Sequence, residues 1–209
     1  MKTPTNTLFY TLLLSLLAAP LPLKAQTAFG NQQIIQETLT FGATDVHAAD
    51  LDNDGDMDML SASTYDDKIA WYENDGSGNF GDQQIITTDA DGAISVYAAD
   101  LDNDGDIDVL SASYYDDKIA WYENEGSGNF GTQQVITNVY GAESVYATDL
   151  DNDGDIDVLS ASADDNKIAW YENEGNGNFG IQQIIVAAID FAKSVYAADL
   201  DNDGDMDVM

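Results

Sequence analysis

One nine-residue segment constrains this chain more than any other feature. Asp50-Leu51-Asp52-Asn53-Asp54-Gly55-Asp56-Met57-Asp58 recurs from Asp100, Asp149 and Asp199, at offsets of 50, 49 and 50 residues. Self-similarity at such a period restricts a chain to architectures in which each unit buries its apolar face against the next. The copies stay parallel between the segments. Lys68-Ile69-Ala70-Trp71-Tyr72-Glu73-Asn74 returns at Lys118 and Lys167, followed each time by a Gly-x-Gly-Asn-Phe-Gly turn and a Gln-Gln segment rich in Ile and Val.

Each unit reads as four short strands. In the second unit these are Ser95–Ala99, Ile107–Ser113, Lys118–Glu123 and Gln133–Thr137, separated by clusters of Gly, Asn and Asp. Nothing holds a helical period for ten residues. Four strands per repeat of this length predict an all-β fold, a β-propeller built from four-stranded blades. The small residues of the first two strands suit crowding around a central axis. Trp71, Trp121 and Trp170 then fall on the third strand, where they fill the wider gap between blades.

The chain ends add two expectations. Phe29-Gly30-Asn31-Gln32-Gln33-Ile34-Ile35 matches the outer strand of a blade, and the fourth copy stops at Asp207-Val208-Met209 where the others continue. About three blades with partial ends are therefore expected, truncated at the C-terminus. Residues 1–25 form a separate segment, with Lys2, an apolar run from Leu8 to Ala19 and small Ala25. That pattern predicts a secretory signal cleaved near Ala25, and residues 26–209 form the repeat domain. The run is shorter than the roughly 20 residues a membrane span needs.

Charge narrows the partners. The formal net charge of −33, from 39 acidic and 6 basic residues, excludes the basic patches that nucleic acid and anionic membranes require. The hydrophobic content of 44% is too high for a disordered acidic chain. Twenty of the acids lie in the four Asp segments, and clustering at fixed spacing points to a cation. Calcium takes six to eight oxygen ligands, which a tight loop supplies from alternate positions. Asp50, Asp52 and Asp54 occupy positions one, three and five, Gly55 permits the turn, Asp56 offers its backbone carbonyl and Asp58 its carboxylate. The same roles fall to Asp100, Asp102, Asp104, Asp106 and Asp108; to Asp149, Asp151, Asp153, Asp155 and Asp157; and to Asp199, Asp201, Asp203, Asp205 and Asp207. Without an ion, two carboxylates ~5 Å apart repel by roughly 0.8 kcal/mol even in water, and five form ten such pairs. Magnesium holds its waters too firmly, and zinc lacks cysteine and has one histidine to draw on. An EF-hand needs Glu at position twelve between helices; here Ser61, Ser111 and Ser160 stand there, before strands.

The Asp-x-Asp-x-Asp-Gly-x-x-Asp loop, its Ala-Ala-Asp lead-in and the downstream Gly-x-Gly-x-Phe-Gly resemble the FG-GAP/VCBS repeat of integrin α-chain propellers and many secreted bacterial proteins. The resemblance covers about residues 26–209. It implies a β-propeller, usually of seven blades, with calcium in each loop, and it names no particular ligand. Tyr72-Glu73-Asn74 and its copies depart from that pattern, and the resemblance gives them no role.

If the strands alternate up and down, the Asp loops and the Gly-rich turns share one face. The other face then carries the connections where the repeats diverge: Thr64-Tyr65, Tyr114-Tyr115 and Ala163-Asp164, with Asp89-Ala90-Asp91, Asn138-Val139-Tyr140 and Asp190-Phe191-Ala192. A rigid scaffold bearing variable loops is a usual recognition surface, so the tyrosines and Phe191 are candidate ligand contacts. His47, the sole histidine, stands where other units have Tyr97, Tyr146 and Tyr196, and no nucleophile–base set accompanies it. The expected function is a non-catalytic, calcium-binding extracellular module for adhesion or for binding a protein or glycan ligand. The alternatives are the propeller part of a secreted polysaccharide-acting enzyme whose catalytic residues lie elsewhere, and a purely structural repeat.

Overall fold

The protein's structure is a computed structural model that describes residues 42–209. The expected signal peptide and the outer-strand segment at Phe29–Ile35 lie outside the described residues. Among those described, every regular element is a β-strand, and no helix is long and apolar enough to cross a membrane.

The strands form three four-stranded antiparallel sheets, each a simple meander. The first holds β1 (Ala43–Ala49), β2 (Asp58–Ser63), β3 (Lys68–Tyr72) and β4 (Gln84–Thr87). The second holds β5 (Ala93–Ala99), β6 (Asp108–Ser113), β7 (Lys118–Tyr122) and β8 (Gln134–Asn138). The third holds β9 (Ala142–Thr148), β10 (Asp157–Ser162), β11 (Lys167–Tyr171) and β12 (Gln183–Ala187). A two-stranded sheet of β13 (Ala197–Ala198) and β14 (Asp207–Val208) follows. The four predicted strands of the second unit each match an observed strand to within two residues. These sheets are blades of a β-propeller, with the first strands β1, β5 and β9 side by side.

Register repeats with the sequence. Leu110 of β6 stands between Tyr97 and Trp121, as Leu60 stands between His47 and Trp71. The second strands are buried on both faces because each blade is covered by its neighbours, so they read Val-Leu-Ser-Ala-Ser rather than as an apolar–polar alternation.

Cohesion between blades comes from a few large side chains. Trp71 packs with Val109, Tyr122 and Phe130 of the second blade. Trp121 does the same with Val158, Tyr171 and Phe179 of the third, its ring 6.4 Å from Phe179 in an edge-on pair. The tryptophans thus fill the gap between blades, as their placement on the third strand implied. Each lies over the Gly-rich turn of the following blade. Gly128 has φ +70, and a Cβ there would sit 2.8 Å from Trp71 Cη2 and closer to Cζ2. Only glycine admits both that backbone and that neighbour.

Around the axis the rings of His47, Tyr97, Tyr146 and Tyr196 stand in sequence, with centroids 4.5, 4.8 and 4.7 Å apart. His47 therefore occupies a tyrosine's place in an aromatic row, and burial holds its imidazole below the ordinary pKa against the opposing charge of Asp45.

Gly128→Ala tests the blade contact against its own control. Gly78, the same turn position in the first blade, has φ +80 but no atom within 4 Å of an added Cβ. Both substitutions carry the left-handed backbone penalty of about 1 kcal/mol. Gly128→Ala should lose about 1–3 kcal/mol more through overpacking against Trp71. Equal losses in chemical denaturation of the two variants would show that Trp71 does not bear on this turn.

Candidate metal centre

Each Asp loop joins the first strand of a blade to its second. The chain reverses through two residues with positive φ. The position-four Asn53, Asn103, Asn152 and Asn202 have φ between 61 and 63, and the position-six glycines have φ between 96 and 100. Asn tolerates the left-handed region better than most residues, and glycine has no Cβ to strain. The turn is held by carboxylates that accept backbone N–H groups. Gly105 N–H donates to Asp100 Oδ2 at 3.1 Å, Asp104 N–H to Asp102 Oδ1 at 3.2 Å and Asp106 N–H to Asp104 Oδ1 at 2.8 Å.

The result is a small all-oxygen cluster. Carboxylate oxygens of Asp50, Asp52 and Asp58 lie within 4.8 Å of one another, as do those of Asp100, Asp102 and Asp108 and of Asp149, Asp151 and Asp157. These are positions one, three and nine. In the fourth loop Asp199, Asp201 and Asp203 converge instead, while Asp207 is exposed. The position-five carboxylates of Asp54, Asp104 and Asp153 are outside the first three clusters and each accepts an N–H from position seven. The position-seven side chains of Asp56, Asp106, Asp155 and Asp205 are outside all four, which leaves only the backbone carbonyl for the role expected of them. Asp100 Oδ1 is buried with no hydrogen-bond partner. An orphaned carboxylate oxygen beside two other carboxylates, with no nitrogen or sulfur donor, fits a hard cation such as calcium.

Position nine is the anchor. Asp108 is fully buried, and its two oxygens accept N–H groups from Leu101 at 2.9 Å and Asn124 at 2.8 Å. Asp58 and Asp157 repeat the arrangement through Leu51 and Asn74 and through Leu150 and Asn173. Burial raises the carboxyl pKa despite those bonds, to about 7 for Asp108 and about 6 for Asp157, with the carboxylates at positions three and five adding to the rise. Asp58 is raised for the same reason.

The functional residue missed in the sequence is the Asn of Tyr-Glu-Asn. Asn124 and Asn173 are fully buried. Besides holding Asp108 by its N–H, Asn124 donates from Nδ2 to Ile107 O at 3.0 Å and to Leu51 O of the preceding loop at 2.8 Å. Asn173 does so toward Ile156 O at 3.0 Å and Leu101 O at 2.7 Å. Its exact recurrence beside Trp and Tyr was the available signal. The tyrosine beside it has a structural task, since Tyr72, Tyr122 and Tyr171 accept a hydrogen bond from Gln83, Gln133 and Gln182.

On the opposite face, Tyr65, Tyr115, Tyr140 and Phe191 are 75%, 61%, 68% and 68% exposed. Ala90, Val139, Ala163 and Ala192 from the same divergent connections are buried and belong to the core. Tyr114 is half-buried and its hydroxyl donates to Asp164. The left-handed Asp67 and Asp117 stiffen this face by accepting the N–H of Gly92 and Gly141 at 3.0 and 2.9 Å.

Two outcomes follow from the cluster. A carboxyl whose pKa is higher folded than unfolded favours the fold while protonated. That contribution is complete below the ordinary value of 3.8 and is lost as pH rises to about 7. In chelator, the melting temperature should therefore fall between about pH 4 and pH 7, and saturating calcium should abolish or reverse the trend. A chelated protein whose midpoint rises steadily over that range would contradict the buried-carboxyl account. At neutral pH, calcium at a hundred times its Kd should add about 2.7 kcal/mol for each loop it fills. Asp102→Asn should remove one such increment, read as a lower midpoint in calcium and one ion fewer by calorimetry.

The FG-GAP-like repeat family matches the chain three times, over residues 50–111, 100–160 and 149–209. No curated protein matches it. Among solved structures it is similar to an Agrocybe aegerita lectin described for specific recognition of non-reducing terminal N-acetylglucosamine, at 22% identity and a TM-score of 0.53 over 71% of this chain. It is also similar to the V. cholerae biofilm matrix protein Bap1, at 26% identity and a TM-score of 0.49 over 80% of this chain. The chain spans 39% of the lectin's length and 23% of Bap1's. Three matches, each beginning at an Asp loop and running through the next, place this chain in the FG-GAP-like repeat family.

Proposed function

We propose that the chain is a calcium-loaded, non-catalytic ligand-binding module of an extracellular protein. The loops supply rigidity and the opposite face supplies recognition. The observation that supports this most is the repeated convergence of three carboxylates, one of them buried, on a point with oxygen donors alone. A divalent cation converts that repulsion into cohesion at the root of every blade. Asp50, Asp52 and Asp58 and their equivalents would supply carboxylate ligands, and Asp56 and its equivalents a backbone carbonyl.

The recognition face is supported by a second observation. Large aromatic side chains stand exposed on short connections whose backbones are tied to the blades. Such rings offer broad contact area at low entropic cost, against a glycan ring or an extracellular protein surface. Tyr140 borders a depression of about 260 Å³ that Asp116, Asp117, Asn138 and Val139 also line, and Tyr115 precedes Asp116 in the chain. Its carboxylates suit hydroxyl or amine donors.

The test is a binding screen of the calcium-loaded full chain against immobilised glycans, terminal N-acetylglucosamine among them, and extracellular matrix proteins. Any ligand found should bind about tenfold or more weakly to Tyr115→Ala and Tyr140→Ala, with melting temperatures nearly unchanged because both rings are exposed. Undiminished binding by both variants would move the recognition surface elsewhere.

A further inference from the structure

Resting on the calcium reading above, we propose that neighbouring metal loops bind their ions cooperatively, through two side-chain links that join each loop to the next. The first link starts at position four. Asn53 Nδ2 donates to the Asp106 carboxylate of the second loop, Asn103 Nδ2 to Asp155 of the third, and Asn152 Nδ2 to Asp205 of the fourth at 3.0 Å. A hydrogen bond onto an ionised carboxylate is among the stronger kinds. The position-seven side chains lie outside the carboxylate clusters, so they are available for this task.

The second link runs the other way. Asn124 Nδ2 holds Leu51 O, a carbonyl flanked in the chain by Asp50 and Asp52, while Asn124 N–H holds Asp108. One buried residue therefore holds, by its side chain, the backbone between two candidate ligands of the first loop and, by its own N–H, the carboxylate of a third in the second loop. Asn173 joins the second and third loops identically, through Leu101 O and Asp157.

Both links attach next to ligands rather than at loop tips. An ion that fixes Asp50, Asp52 and Asp58 fixes Asn53, which lies between them in the chain, and with it the Asp106 carboxylate. Ordering one loop thereby removes part of the freedom that the next must lose on binding. That is a coupling free energy between distinct sites, propagated from neighbour to neighbour as in a linear array. The position-four Asn is thus a positioning residue for the following site, and its left-handed backbone points its amide along the arc.

Each loop carries its own reporter. The amides of Gly55, Gly105, Gly154 and Gly204 donate to the first carboxylate of their loops at 3.0 to 3.1 Å, so their NMR signals read occupancy loop by loop. The full chain, stripped of metal, is titrated with calcium. Disabling the third loop by Asp151→Asn should weaken calcium binding at Gly105 in the second loop by about fivefold, the low end of typical couplings. Asn103→Gly keeps the positive φ but lacks the amide. In that background the same Asp151→Asn change should shift the Gly105 midpoint by no more than about twofold, closing a double-mutant cycle. Asp155→Ala cuts the link from its other side and serves where Asn103→Gly does not fold, while Asp155→Asn retains an acceptor and should restore the coupling. A Gly105 midpoint indifferent to Asp151→Asn, or shifted equally with and without Asn103, overturns the proposal. Glycine signals that ignore calcium altogether overturn the calcium reading beneath it.

Discussion

A buried carboxylate at the ninth position of each of the first three Asp loops is the interaction on which the rest of the structure hangs. Asp108 starts β6, closes the loop onto Leu101 and captures the end of β7 through Asn124, so three strands of one blade meet at a single charge. Two backbone donors offset part of the desolvation, and the raised pKa shows that they do not offset all of it. A charge left in that position favours any arrangement that brings it a cation. The blade and the candidate ion site are therefore one construction, since the same buried carboxylate belongs to both.

The blades are otherwise ordinary in their chemistry. Ala, Ser, Val and Leu fill the second strands because both faces are covered, and the bulky rings of Trp71 and Trp121 occupy the gaps between blades. Polar order at the joints comes from the two asparagines, which satisfy carbonyls that the sheets leave unpaired at their ends. Apolar packing supplies most of the cohesion between blades, and hydrogen bonds fix the angle at which one blade meets the next.

Much of this was legible before any coordinates. Period, strand number, strand order and the shared face of the Asp loops and Gly-rich turns follow from alternation and turn residues, since local geometry alone decides them. Three features were not. Asn124 and Asn173 act across blade boundaries, on residues more than seventy positions away, and no local pattern reveals such a partner. Ala90, Val139, Ala163 and Ala192 sit in divergent connections that look solvent-facing in sequence, yet tertiary packing turns them inward. Asp106, Asp155 and Asp205 at position seven belong to the loop by spacing, but their side chains serve the neighbouring blade.

The aromatic row at the axis has a geometric consequence. His47, Tyr97, Tyr146 and Tyr196 stand a near-constant 4.5 to 4.8 Å apart, each contributed by a different blade. Every added unit thus advances the inner wall by 4.5 to 4.8 Å, while farther out the step is that of a tryptophan packed over a glycine turn. The ratio of those two steps sets the curvature. A chain assembled from such units carries the radius of its own bend in two residues per repeat.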